Sequence, residues 1–242
     1  MALKVTLTSA TGKHYLLSGI ERTSPVLSPI EALTNLSGKS SRSDVAVPAR
    51  SGVIPGRRRF EPIQAELEFY LHADGGAEME VLYKEFRQGW SDSVASLLRV
   101  EADHPLGAFT LPLLRDQPLP GVPVDMSTRT SATVMVAVFD ALGLFRSEPL
   151  SGTGAVTVTN PGDEVVYPWV TYQGAGGPVT TPSGAEFTLP PSVDEVTLQL
   201  DPRTLRLDGA FAEGIEPGAT GTWVLPAGAR LGWHILVADP WA

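Results

Sequence analysis

From residue 155 onward the chain is cut again and again by turn-forming residues. Pro161-Gly162-Asp163, Gly174 to Gly177, Pro182-Ser183-Gly184, Pro190-Pro191, Asp208-Gly209, Pro217-Gly218 and Pro226-Ala227-Gly228 recur at short intervals. Gly supplies positive φ, Pro presets φ, and Asp bonds its own backbone two residues on, so each cluster reverses the chain. The segments left between them are short: 155–159, 165–173, 186–189, 195–200, 204–207, 221–225 and 230–237. Short strands at regular spacing with such turns predict a β-sandwich of about 90 residues.

The first part of the chain reads differently. Leu3, Val5 and Leu7 alternate with Lys4, Thr6 and Thr8, a half-buried strand, and Thr11-Gly12 turns it into a hairpin partner at 13–17. The clearest strand covers 60–72, with Ala65, Leu67, Phe69 and Leu71 on one face and Glu66, Glu68, Tyr70 and His72 on the other. The one clear helix covers 77–88. Met79, Leu82, Tyr83 and Phe86 form its apolar stripe, Glu78 and Glu80 sit in its first turn and Arg87 in its last, and Gly89 is the expected C-cap. Strands are expected at 95–101, 108–114 and 132–139. A Gly-, Ser-, Pro- and Thr-bearing stretch at 146–154 marks a boundary between a domain at 1–148 and one at 149–242. The chain is thus mainly β, with an α+β first domain.

Residues 34–59 show no periodicity. Lys39, Arg42, Arg50, Arg57, Arg58 and Arg59 against the single acid Asp44 give 39–59 a net charge of +5 in a chain of net −9. A loop of this length inside a compact domain is usually functional or disordered. The remaining charge is uneven. Residues 1–148 carry 15 basic and 17 acidic side chains, and 149–242 carry 3 and 10. An acidic half disfavours broad nucleic-acid or anionic-membrane binding. No apolar run approaches the roughly 20 residues that span a bilayer, and the N-terminus lacks a signal-peptide core. With no cysteine, thiolate zinc sites, disulfides and cysteine nucleophiles are excluded.

A search for chemistry finds none. His14, His72, His104 and His234 are scattered, with no His-Glu-x-x-His pair; there is no Gly-x-Ser-x-Gly elbow and no phosphate-binding loop. Glu66 and Glu68 are neighbours on one strand face, as the paired acids of a glycosidase could be, but read as the solvated face of an amphipathic strand. Asp201 and Asp208 read as turn residues rather than cation ligands. Arg57-Arg58-Arg59 lacks the aromatic interleaving of a nucleic-acid surface and reads as a solvated loop, or as one that pairs with an acidic surface on another subunit. Trp223 and Trp233 are expected in the core. Trp169 and Trp241 are the aromatic candidates for a glycan or partner contact. The pattern points to structural or binding work, not to an enzyme, and calls for no metal or cofactor.

The order Asn160-Pro161-Gly162-Asp163, Tyr167-Pro168, Leu198 to Asp201, Leu205-Arg206-Leu207-Asp208-Gly209, Trp223 and Leu225-Pro226-Ala227-Gly228 resembles the C-terminal domain of phage distal tail proteins, often called minor tail proteins in phages of actinobacteria. Ala227 before Gly228 is a departure from the family's Leu-x-Pro-Gly. Pro48, Arg50 and Gly52 match its Pro-x-Arg-x-Gly loop, and the hairpin, basic loop, strand and helix follow its order. The resemblance implies a split-barrel-like, ring-forming N-terminal domain and a galectin-like C-terminal β-sandwich. It further implies a homohexameric hub at the tail tip of a virion with a long non-contractile tail, assembled in the host cytoplasm. The hub would join tail tube protein, tape measure protein and a tail-associated tip protein around a channel for DNA. Arg42, Arg50, Arg57, Arg58 and Arg59 on one side, and Glu66 and Glu68 on the other, are then the candidate ring contacts. The competing reading is a carbohydrate-binding module for the host surface.

Overall fold

The structure, a computed structural model, describes residues 3–19, 24–48, 51–121, 125–204 and 209–241. The chain is mainly β and divides into two units, Met1–Phe145 with Ala238–Ala242, and Arg146–Val237.

The first unit begins with the expected hairpin, β1 (Lys4–Thr8) and β2 (His14–Ser18), closed by a Ser9 N–H bond to the Lys13 carbonyl at 2.8 Å. β3 (Val26–Leu27) and a short helix α1 (Ile30–Thr34) follow. Then come four short strands, β4 (Ser40–Arg42), β5 (Val45–Ala46), β6 (Val53–Ile54) and β7 (Arg58–Phe60), and the long β8 (Ile63–His72). Helix α2 (Gly76–Gln88), β9 (Ser96–Glu101), β10 (Phe109–Arg115), a 3-10 turn at Met126–Thr128 and β11 (Ser131–Asp140) complete the body. β12 (Phe145–Ser147) carries the chain across the division between units.

The sheet runs β2-β1-β9-β10-β11-β8-β3. Its two ends approach, with the Ser28 N–H bonded to the Leu17 carbonyl at 3.2 Å, so the sheet curls into a nearly closed barrel. Alternation decides what fills it: Val5 and Leu7, Leu67, Phe69 and Leu71, Leu98 and Val100, Leu111 and Leu113, and Val134, Val136 and Val138 are all buried. Each such side chain contributes about 1.5–3 kcal/mol of burial. Helix α2 seats Met79, Tyr83 and Phe86 on this core. Phe86 meets Phe69 at 5.1 Å and Tyr15 at 5.8 Å between ring centroids, the first pair tilted and the second edge-on, as aromatic quadrupoles prefer over a face-to-face sandwich. Gly89 is the C-cap, as expected, in right-handed geometry (φ −69°). It is needed for room: a Cβ there would stand 2.8 Å from the Ser9 Cβ. The single helix expected from sequence is joined by α1, only five residues long and without a side-chain N-cap.

The second unit comprises β13 (Leu150–Thr153), β14 (Ala155–Thr159), β15 (Trp169–Gly174), β16 (Gly177–Thr180), β17 (Glu186–Leu189), β18 (Ser192–Gln199), β19 (Thr220–Val224), β20 (Ala229–Trp233) and β21 (Leu236–Val237). Among the described residues the first eight form two four-stranded sheets, β13-β20-β15-β18 and β14-β19-β16-β17, while β21 pairs with β12. Val170, Tyr172, Leu198 and Leu231 from one, and Val158, Val179, Phe187 and Trp223 from the other, make the buried faces of a β-sandwich. The strand expected at 165–173 starts only at Trp169. Pro168 has no N–H to give a ladder, and Val166 bridges Ile215 instead. The strand expected at 204–207 lies largely outside the described residues, and Thr204 sits in a turn, its N–H bonded to the Asp201 carbonyl at 3.0 Å. Among the described residues, no helix is long and apolar enough to cross a membrane.

Candidate assembly surfaces

The basic stretch, aperiodic in sequence, is a two-stranded arm. β4 pairs with β7 (Ser40↔Phe60, Ser41↔Arg59, Arg42↔Arg58), and β5 pairs with β6 (Val45↔Ile54, Ala46↔Val53). Between the two ribbons lies a neck. Asp44 accepts from Arg42 Nε at 2.6 Å and Nη2 at 2.9 Å, and its Oδ1 also takes the Gly56 N–H at 2.9 Å. These bonds hold the Asp44 carboxyl below the usual carboxylate range, the Arg42 pairing first. The backbones cross so closely that a Cβ on Gly56 would lie 2.0 Å from the Ser43 carbonyl oxygen. Asp44 also answers a local problem: Arg42 and Arg58 face each other across the ladder, and like charges so placed repel. Arg58 further lies over the Phe60 ring, 4.4 Å from its centroid.

The outer ribbon of the arm, β5 with β6, carries exposed apolar side chains. Val45, Val53 and Ile54 are 61%, 53% and 59% exposed. A two-stranded ribbon is marginal alone in water, and these apolar residues gain no burial within the described chain. The sequence held a signal for it, since Val45-Ala46-Val47 and Val53-Ile54 flank a Pro- and Gly-bearing turn, but two-residue strands carry no visible period.

Of the sequence-derived candidates, Arg42, Arg57, Arg58 and Arg59 fall on this arm, while Arg50 lies outside the described residues. Glu66 and Glu68 sit on the outward face of β8, opposite Ala137 and Met135 of β11. Beside them is Tyr70, 45% exposed, whose hydroxyl bonds Glu68 and is thereby pushed above its ordinary pKa. Trp241 is tied into its own unit: its indole N–H donates to the Leu36 carbonyl at 3.1 Å, and its ring meets Phe145 edge-on at 6.1 Å. Trp169 is half-buried on the outward face of β15, 5.0 Å from the His234 ring. Trp223 and Trp233 are buried.

Asn160-Pro161-Gly162-Asp163 serves as an internal clamp. Asn160 is fully buried; its amide donates to the Glu164 and Ile215 carbonyls, both at 2.8 Å, and accepts the Gly162 N–H at 2.9 Å. A Cβ on Gly162 would come within 2.4 Å of the Leu236 carbonyl oxygen. Asp201 is engaged by Arg203 through its side chain and backbone, and Asp208 lies outside the described residues. The described histidines are not gathered, and no group of three or more His, Cys, Asp or Glu among the described residues could hold a metal ion.

Comparison with known proteins gives a consistent picture of the fold. No family model matches the sequence, and no curated protein matches it. Solved structures do. The crystal structure of the Dit protein of phage SPP1, described as a paradigm of the hub adsorption apparatus in phages infecting Gram-positive bacteria, superposes with a TM-score of 0.54 at 8% identity, over 98% of this chain and 99% of that one. Chains of the phage P2 baseplate in its activated conformation superpose with TM-scores of 0.59 (with calcium) and 0.58 (with strontium). Both are at 10% identity over 97% of this chain and 98% of theirs. The structural neighbours are therefore phage hub and baseplate proteins, and the likeness runs through both units.

Proposed function

We propose that this chain is the distal tail hub of a phage with a long non-contractile tail and an actinobacterial host. Six copies close a ring that joins the tail tube to the tip and leaves a channel for DNA. The observation that carries the reading is the near-complete coverage, on both sides, of the match to hub and baseplate chains. Two further observations support it: the sequence holds no catalytic constellation, and the arm leaves Val45, Val53 and Ile54 exposed.

In this reading the first unit builds the ring. A ring contact is heterologous, one patch against a different patch on the next copy. The arm supplies one patch, with apolar Val45, Val53 and Ile54 at its tip and Arg42 and Arg59 on its stem. The outward face of β8, with Glu66 and Glu68, is a surface of opposite sign in the same chain. Native mass spectrometry of the purified chain tests the ring. Six times 25.7 kDa gives a species near 154 kDa. A 25.7 kDa monomer that persists even with the tail tube protein added overturns the proposal. Deleting residues 40–56 should abolish the hexamer while leaving a folded monomer; a hexamer that survives the deletion removes the arm from the ring.

A further inference from the structure

The outward face of the sheet β13-β20-β15-β18 carries an organised row of side chains that the hub reading does not use. Because residues two apart on a strand share a face, Trp169, Thr171 and Gln173 of β15 point outward together, as do Arg230 and Gly232 of β20. Register sets them in cross-strand rows. Trp169 lies between Gly232 and Gln199, and Thr171 lies between Arg230 and Thr197, with the two threonine hydroxyls 3.2 Å apart. Gly232 makes the first row possible: a Cβ there would stand 2.4–2.6 Å from the Cε2, Nε1 and Cζ2 atoms of the Trp169 indole. The indole therefore lies across the glycine instead of standing off the sheet.

Beyond the second row the surface opens into a cavity of about 570 Å³, within the range of small-molecule sites. Thr153, Thr171, Gln173, Glu195 and Arg230 line it, with the turn 225–229 as one wall. The Gln173 amide nitrogen is committed to the Val193 carbonyl at 2.6 Å, which leaves its oxygen as an acceptor.

The donor and acceptor inventory selects the ligand. Arg230 only donates and the Glu195 carboxylate only accepts, while the threonine hydroxyls do both. Opposite charges in one cavity give neither an anion nor a cation an advantage, since each meets one repelling group. A hydroxyl group donates and accepts at once, so a ligand with many neutral hydroxyls satisfies Arg230 and Glu195 together. An indole in line with this cavity offers an apolar plate to the C–H face of a sugar ring. We propose that this face binds a neutral oligosaccharide, stacked on Trp169 and hydrogen-bonded by Thr171, Gln173, Glu195 and Arg230. This proposal stands on the second unit alone and does not depend on the ring.

The test is saturation-transfer NMR and calorimetry on the full-length protein with neutral di- and trisaccharides of glucose, galactose, rhamnose and N-acetylglucosamine, and with glycerol phosphate as an anionic probe. The expected result is saturable millimolar or tighter binding of at least one neutral saccharide, weakened about tenfold or more, roughly 1.4 kcal/mol, in both Glu195→Gln and Arg230→Met. These two positions are exposed, so both variants stay folded; Trp169→Ala then reports the stacking contribution. Absence of binding across the neutral panel overturns the proposal. So does binding undiminished in the Glu195→Gln, Arg230→Met double variant, or glycerol phosphate binding as tightly as any sugar. Native mass spectra of the same variants keep the hexamer question separate, because neither residue lies in the first unit.

Discussion

Replacing Asn160 with Ala removes three hydrogen bonds from a fully buried side chain, and the structure allows the loss to be followed group by group. The Ile215 carbonyl keeps a second partner, the Val166 N–H at 3.0 Å, so its loss is a net bond of about 1 kcal/mol. The Gly162 N–H and the Glu164 carbonyl lose the partner that Asn160 gave them, at about 1–3 kcal/mol each. Both sit in a half-buried turn that water can reach, which favours the lower end and gives a total of about 3 kcal/mol. Urea unfolding followed by tryptophan fluorescence reads this directly, since Trp169, Trp223 and Trp233 all lie in the affected unit. Asn160→Asp sharpens the test. It keeps the bond from Gly162 but sets a carboxylate against two carbonyl oxygens, so it should be most destabilised near neutral pH. It should recover part of its stability in acid, where the protonated group can donate. A loss under about 1 kcal/mol for the Ala variant, or an Asp variant as stable as the parent at about pH 7, would refute the reasoning.

Other predictions address the rest of the molecule. Gly143 has φ +69° and would place a Cβ 1.9 Å from the Glu61 carbonyl oxygen, so Gly143→Ala should cost about 2–4 kcal/mol, read as a lower urea midpoint. The buried Tyr15 hydroxyl has no hydrogen-bond partner among the described residues, so Tyr15→Phe should leave stability unchanged or raise it by up to about 1 kcal/mol; a clear loss in thermal unfolding would mean the hydroxyl is satisfied. Burial holds the His234 imidazole below its ordinary pKa of 6.5, with its Nδ1 bonded to the Ser147 carbonyl. The folded state therefore favours the neutral ring. This contribution is present above pH 6.5 and is lost as pH falls through the lower folded value. The melting temperature should drop on acidification from about pH 7 toward about pH 5, and His234→Gln should flatten that part of the profile; an identical profile would remove His234 as its source.

What the sequence determined by itself is what a single strand or helix encodes. The alternation of Leu67, Phe69 and Leu71 with Glu66, Glu68 and Tyr70 fixed which face of β8 is buried, and the 3.6-residue stripe fixed α2, because those periods are properties of one element. The turn clusters after residue 155 likewise announced a sandwich, and Asn160-Pro161-Gly162-Asp163 was legible as a motif, although its clamp on Glu164 and Ile215 was not. Tertiary structure decided the rest. The arm was invisible as structure because its strands are two or three residues long and bury almost nothing, so no apolar period marks them. Gly89 and Gly56 are required by strangers in sequence, Ser9 and Ser43, rather than by their own torsions. Trp233 was legible as a core residue, but the seat of Trp169 across Gly232 was not. It depends on the register of β15 against β20, and register is set by contacts between segments some sixty residues apart, where local sequence carries no record of the partner.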